Sequence, residues 1–347
     1  MKLSEFDYHL PAGLIAQKPS AERDGSRMMV LNKASGDFTH RHFFDLPDCM
    51  RKGDVLVMND SKVIPARLRG NKETGAAVEV LLLARTGEAS QDCTHWEVLL
   101  RPARRVRYGT TLVFNEYGRA KILDRITEKK WILELITTIP CDVFLERFGS
   151  APLPPYINRK DEIPLRASDL TRYQTIYARR PGSVAAPTAG LHFTERIMRQ
   201  LGTMGVTIVQ ITLHVGYGTF LPIETDTVEK HVMEEEYYEV SPETASIVSD
   251  ARRVVAVGTT STRVLESITD DRGRIRAASG LTKLFIYPGY RFRRVNALLT
   301  NFHLPKSSLF LLACAFGGKE RVQAAYAEAI RERYRFYSYG DCMFISP

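Results

Sequence analysis

From residue 75 to residue 137 the chain alternates short β-rich runs with glycine-bearing and charged turns, and no helical period interrupts them. The runs read AAVEVLLLA, HWEVLLRPA, TTLVFNEYG, RAKILDRI and KKWILELI. Strands at roughly 10–15-residue spacing, with no helix to carry a crossover, fit a compact antiparallel sheet or barrel. The proline-rich APLPPYINRKDEIP, residues 151–164, then closes the segment as a boundary or an ordered extended loop.

From about residue 165 the pattern becomes strand, glycine-bearing turn and helix. Thr194 suits an N-cap for a helix from Glu195 to Leu201, Gly202 ends it, and VTIVQITLHVG follows as a strand. RRVVAVG reads as a strand, TTST as a turn and RVLESI as a helix. LTKLFIYPG and NALLTNFH read as two more strands; SSLFLLACAF and QAAYAEAIRERY carry helical character. A strand candidate, DVLVMN, also precedes Asp60. The expected fold is therefore α/β: a discontinuous domain of residues 1–67 and 151–347, with residues 68–150 inserted as an antiparallel β-barrel-like domain.

A chain of 347 residues with 44% apolar content can bury more than one core. The formal charge of +8 favours a polyanionic partner. Cys49, Cys93, Cys141, Cys314 and Cys342 are scattered and never spaced as CxxC, which argues against a disulfide framework or a cysteine zinc site. The start of the chain lacks the apolar core of a signal peptide. The longest apolar run, Leu309 to Phe316, is far below the roughly 20 residues that span a bilayer. The expectation is a cytoplasmic, monomeric protein with no membrane partner.

Four segments place small, polar and catalytically able residues where an apolar strand ends, the usual ligand position of open α/β sheets. In SVAAPTAGLHF, Ser183, Thr188 and Gly190 permit close approach to a ligand, and His192 stands near a helix start. In TLHVGYGTF, Gly216 and Gly218 bracket Tyr217, with Thr219 after them and His214 available for proton transfer. In VGTTSTR, the hydroxyls of Thr259, Thr260 and Ser261 precede Arg263, an arrangement able to hold a carboxylate or phosphate. In TNFHLPKSS, Asn301, His303 and Lys306 lead into a helix that Ser307 or Ser308 can cap. Each has a plainer structural reading, as a tight connection, a satisfied core histidine, an ordinary N-cap or a punctuated turn.

No GxxxxGK[ST] is present, so triphosphate binding is not implied. His192, His214 and His303 could form a three-histidine metal site, but no HxxxH pair or carboxylate cluster accompanies them and no metal is expected. Asp60, Lys62 and Arg67 in MNDSKVIPARLRG read as a solvated turn near the domain junction. For RNA, YPGYRFRRVN offers Arg291, Arg293 and Arg294 beside rings that can stack on bases, and RPARRVRYG offers Arg101, Arg104 and Arg105 on the insert.

Taken together, these segments resemble the S-adenosylmethionine:tRNA ribosyltransferase-isomerases of queuosine biosynthesis. The likeness runs from FDYHLPAGLIAQKPSAERDGSRMMV through DVLVMNDSKVIPARLRG, PLPPYINR and YQTIYARRPGSVAAPTAGLHFT. It continues in TLHVGYGTF, VVAVGTTSTRVLES, FIYPGYRF and LLTNFHLPKSSLFLL, and ends at YRFYSYGDCMFI. The resemblance implies an α/β domain interrupted by a barrel-like insert, and a cytoplasmic transferase that consumes S-adenosylmethionine as ribosyl donor. Its acceptor would be the 7-aminomethyl-7-deazaguanine base at the tRNA wobble position, its products epoxyqueuosine-tRNA, adenine and methionine. Such chemistry needs a base for a ribose C5′ hydrogen acidified by the sulfonium, an acid for departing adenine, and groups for the amino-acid end. His192, His214 and His303 are the candidates for proton transfer, and the VGTTST turn with Arg263 for the methionine carboxylate.

Two positions depart from the pattern the resemblance implies. HVMEEE places Glu234 where a second histidine is expected, and Lys283 stands where an acidic residue is expected. Two rival readings are an S-adenosylmethionine-dependent RNA methyltransferase and a non-catalytic RNA-binding protein. The first lacks the Gly-rich first turn such enzymes show, and the second rests on charge alone. Release of adenine with methionine, of S-adenosylhomocysteine, or of neither separates the three.

Overall fold

The computed structural model describes residues 1–87, 93–104, 106–159, 165–220 and 222–347. Arg105 lies outside the described residues. The large sheet has nine strands in the order Ala278–Thr282, Glu236–Val240, Thr207–Leu213, Val55–Asn59, Val254–Val257, Ala297–Asn301, Cys342–Ser346, Arg27–Asn32, Phe38–His42. The four from Thr207–Leu213 to Ala297–Asn301 are mutually parallel, so their C-terminal ends share one edge. The last three of these, rich in Val and Leu, are buried throughout, as strands covered on both faces must be.

Six antiparallel strands close the barrel in the order Lys130–Thr137, Cys93–Arg101, Ala77–Thr86, Arg67–Lys72, Thr111–Asn115, Gly118–Arg125. Strict alternation drives Trp96, Val98 and Leu100 inward from one strand and Trp131, Leu133 and Leu135 from its neighbour. Phe144, on the helix Cys141–Phe148, joins this core. The five β-rich runs all become barrel strands. The sixth strand, Arg67–Lys72, was not foreseen: only Leu68 is buried, and its charged residues made the segment look like a turn.

Thr194 caps the helix Glu195–Thr203 by accepting a hydrogen bond from the Ile197 N–H, and Ser307 caps Ser308–Gly317 from Phe310 N–H. Two readings need correction. TTST is no turn: the helix Gly258–Ile268 begins at Gly258, whose φ of +85° makes the bend itself. LTKLFIYPG is not one strand either, because regular structure ends at Thr282. Buried side chains of the preceding helix satisfy the peptide groups that follow: Glu266 accepts from the N–H groups of Arg293, Arg294 and Val295, and Arg263 Nε donates to Leu284 O. Among the described residues, no helix is long and apolar enough to cross a membrane.

Candidate active site

The shared C-terminal edge of the parallel strands carries the candidate segments to one place. Past Leu213 the chain reaches His214, past Val257 the helix of Arg263, and past Asn301 the loop of His303. Asn59 stitches this edge, its side chain donating to Leu213 O (2.9 Å) and accepting from Leu213 N–H (3.0 Å). Ser183 Oγ adds a second stitch by accepting from Val215 N–H at 2.8 Å. The bend Thr188–His192 packs beside them. Thr188, Thr219, Asn301, His303 and Ser307 line one small pocket together with Tyr156, Tyr337 and Ser338.

At the centre is a buried ion pair. Arg263 Nη1 donates to Glu236 Oε2, and both side chains are only 4% exposed. Glu236 Oε1 accepts from Gly216 N–H (2.9 Å) and Thr219 Oγ1 (3.1 Å), which fixes the glycine turn. Glu234 bounds the same turn: a Cβ on Gly218 would lie 2.5 Å from Glu234 Oε2. Tyr217 packs toward the barrel core.

Several buried polar atoms here have no hydrogen-bond partner: Arg263 Nη2, Thr260 Oγ1, Ser261 Oγ, His214 Nδ1 and Tyr337 OH. Leaving such atoms unpaired costs about 1–3 kcal/mol each, so a concentration of them on converging segments is the mark of a polar ligand site.

The three histidines are neutral at physiological pH. Burial pushes His192 down to about 4 and His303 to about 3, and burial also lowers His214, against the pull of Asp60 and Glu239. At about 4 and about 3, His192 and His303 are weak bases, which leaves His214 the better suited of the three to accept a proton. His192 stacks on Phe43, and His303 Nε2 contacts Thr300 Oγ1 at 2.6 Å. His214 stacks on Tyr237 and lies against Gly182, where a Cβ would fall 2.8 Å from its Nε2.

Beside this cluster, between barrel and sheet, is a cleft of about 620 Å³. His214, Gly216, Glu235, Glu236 and Tyr237 line it from the sheet side, and Arg85, Trp96, Asp142 and Glu146 from the barrel side. Sequence reasoning missed Glu236, Trp96 and Tyr237. A signal for Glu236 existed in the apolar setting of Arg263, since a buried guanidinium requires a carboxylate partner.

Other candidates lie elsewhere. Lys306 turns away to pair with Asp7 at 2.5 Å. Asp60 is no solvated turn residue: it is buried, accepts from Thr212 Oγ1 at 2.7 Å and pairs with Arg179. Lys62 lines the cleft, and Arg67 joins the barrel to Leu153 O. Arg293 donates to Glu266 O, and Arg294 to Val248 O and Ala251 O, so both hold the loop to the body, while Arg291 is exposed. Arg101 and Arg104 are exposed on the barrel. His192, His214 and His303 do not gather as ligands. Among the described residues the one three-donor group is Cys93, His95 and Glu134, on barrel strands.

The family model described as "Queuosine biosynthesis protein" matches residues 3–345. The S-adenosylmethionine:tRNA ribosyltransferase-isomerase of Syntrophus aciditrophicus is 58% identical over 99% of both chains. That of Moorella thermoacetica is 49% identical over 99% of this chain and all of its own. A crystal structure of S-adenosylmethionine tRNA ribosyltransferase from Thermotoga maritima, 36% identical, aligns over 98% of this chain and 99% of its own with a TM-score of 0.55. With a sheet edge and barrel arranged as described and a match from end to end, the chain belongs to the queuosine biosynthesis protein family.

Proposed function

We propose that this protein transfers and isomerises the ribosyl moiety of S-adenosylmethionine onto 7-aminomethyl-7-deazaguanine at the wobble position of tRNA, releasing adenine and methionine and leaving epoxyqueuosine. S-Adenosylmethionine is a consumed co-substrate in this reading. The observation that carries it is the set of unpartnered buried polar atoms on the segments that meet at the sheet edge, with His214 among them lining the cleft. Arg263 Nη2, Thr260 and Ser261 would receive the methionine carboxylate, with Ser183, Thr188, Gly190, Thr259 and Asn301 shaping the pocket. Thr219 and the glycines at 216 and 218 would close over the sugar.

His214 faces the cleft and is the best placed base for the acidified C5′ hydrogen; His192 and His303 lie further inside. Residues 1–67 and 151–347 form the catalytic unit in this reading and 68–150 the insert, working as a cytoplasmic monomer. Incubation with S-adenosylmethionine and tRNA bearing the aminomethyl base tests it. Adenine and methionine should appear in step with a mass gain on that one nucleoside. S-Adenosylhomocysteine would instead mean methylation, and no product would refute the assignment.

A further inference from the structure

The large cleft carries both signs of charge around its opening. Asp142, Glu146, Glu235 and Glu236 line it against only Lys62 and Arg85, in a chain whose net charge is +8. Beside these residues, Arg180 is 53% exposed and directly precedes the lining residues Pro181 and Gly182, while Lys283 is 70% exposed and pairs with Glu235. Lys62 is held opposite Pro181 by the short parallel pairing of Ser61–Val63 with Arg180–Ser183. Tyr237, 39% exposed, and Leu281, 62% exposed, give the slot an apolar, partly aromatic wall that water does not favour. A free small cation would need the carboxylates alone. Carboxylates and cations side by side around an aromatic wall fit a planar, amine-bearing base carried on a phosphate backbone.

We propose that this cleft is the acceptor-base slot, in which Tyr237 stacks on the base, Glu146 and Glu235 face its ammonium, and Lys62, Arg180 and Lys283 meet the flanking phosphates. The proposal rests on the ribosyl-transfer reading for the identity of the base. Arg180 pairs with Glu239 and Lys283 with Glu235 in exposed or half-exposed ion pairs, which are weak and readily exchanged for a phosphate. It moves the RNA face from the Arg291 loop to the junction of barrel and sheet.

The test is equilibrium binding of two anticodon stem-loops, one with 7-aminomethyl-7-deazaguanine at the wobble position and one with guanine, read without turnover. The unmodified protein should prefer the amine-bearing loop by about tenfold or more. Glu146→Gln with Glu235→Gln should erase that preference. Tyr237→Ala should weaken both loops by about tenfold. Lys62→Ala, Arg180→Ala and Lys283→Ala combined should lower the salt-dependence slope by about 2.

Equal affinity of the two loops for the unmodified protein would overturn the proposal. So would variants that leave loop binding unchanged while raising the KM for S-adenosylmethionine, since the cleft would then hold the donor. The altered side chains are exposed or half-exposed, and circular dichroism checks that each variant folds. Adenine release is measured separately. Selective binding without it would support the slot and refute the reaction, whereas adenine release with indifferent variants would do the reverse.

Discussion

Replacing Arg263 by Ala removes one half of the buried pair that organises the site. Glu236 would keep the donors Gly216 N–H and Thr219 Oγ1 on one oxygen, while its other oxygen would lose the guanidinium in a region closed to water. Leu284 O would lose its donor as well. Breaking a buried pair from one side costs roughly 3–5 kcal/mol, against about 0–1 kcal/mol for a surface pair. The double change Arg263→Met with Glu236→Leu should recover part of that loss. It would still orphan the Gly216 N–H and Leu284 O, which leaves a deficit of about 1–3 kcal/mol for each. Both tryptophans, Trp96 and Trp131, belong to the barrel core, so their fluorescence reports the wrong unit. Amide hydrogen exchange across Val254–Val257 and Gly258–Ile268 is the appropriate assay. A loss below about 1 kcal/mol for Arg263→Ala, or a double variant no more stable than the single, would refute the claim that this pair is closed to water and mutually dependent.

His214→Ala should cut turnover by about 10²–10⁴-fold with the circular dichroism unchanged, and near-normal turnover would remove it from the mechanism. Gly182→Ala should lower kcat as well, because the new methyl group would displace the His214 ring; an unaltered rate would show that the ring has room to shift. Stability should fall on acidification: His192 and His303 titrate lower when folded (about 4 and about 3) than when unfolded, where the ordinary value is 6.5, so the unfolded chain binds protons first as pH drops below 6.5. Each histidine should contribute a slope of about 1.4 kcal/mol per pH unit from there down to its folded value, and His192→Gln should flatten the curve measurably in urea titrations. Arg294→Ala should cost about 1–3 kcal/mol of stability by freeing Val248 O and Ala251 O while leaving the salt slope of tRNA binding unchanged; a flattened slope would return that loop to the RNA face.

What the sequence made legible follows from how local each signal is. The barrel strands alternate residue by residue, and the caps Thr194 and Ser307 act within three residues of themselves, so both could be read along the chain. The helix at Gly258 could not, because TTST is a poor helical sequence by propensity and forms the first turn only because tertiary burial overrides it. The segment after Thr282 looked β-rich for the opposite reason: its apolar residues pack on the core while Arg263 and Glu266, distant in sequence, hold its peptide groups. Candidate residues on single segments were found, but the cleft was not. Its walls come from the barrel, the sheet edge and the short pairing at Lys62, and no one stretch of chain reveals that they face each other.

The departure at Glu234 becomes intelligible in this setting. Its carboxylate pairs with Lys130 at 2.8 Å, and Lys130 pairs at the same distance with Glu97 on the neighbouring barrel strand. Burial opposes the charge on Lys130, yet the two carboxylates outweigh it and raise its pKa. A histidine, neutral and shorter in reach, could not supply that charge. Glu234 therefore forms an ionic tie between turn and barrel, placed against Gly218. Lys283 follows the same logic on the other rim, where an acidic residue would face Glu235 with like charge and the lysine instead pairs with it at 3.7 Å. Glu234 and Lys283 are thus both neutralised by ion pairs, while Glu236, which holds the glycine turn to Arg263, keeps its own partners.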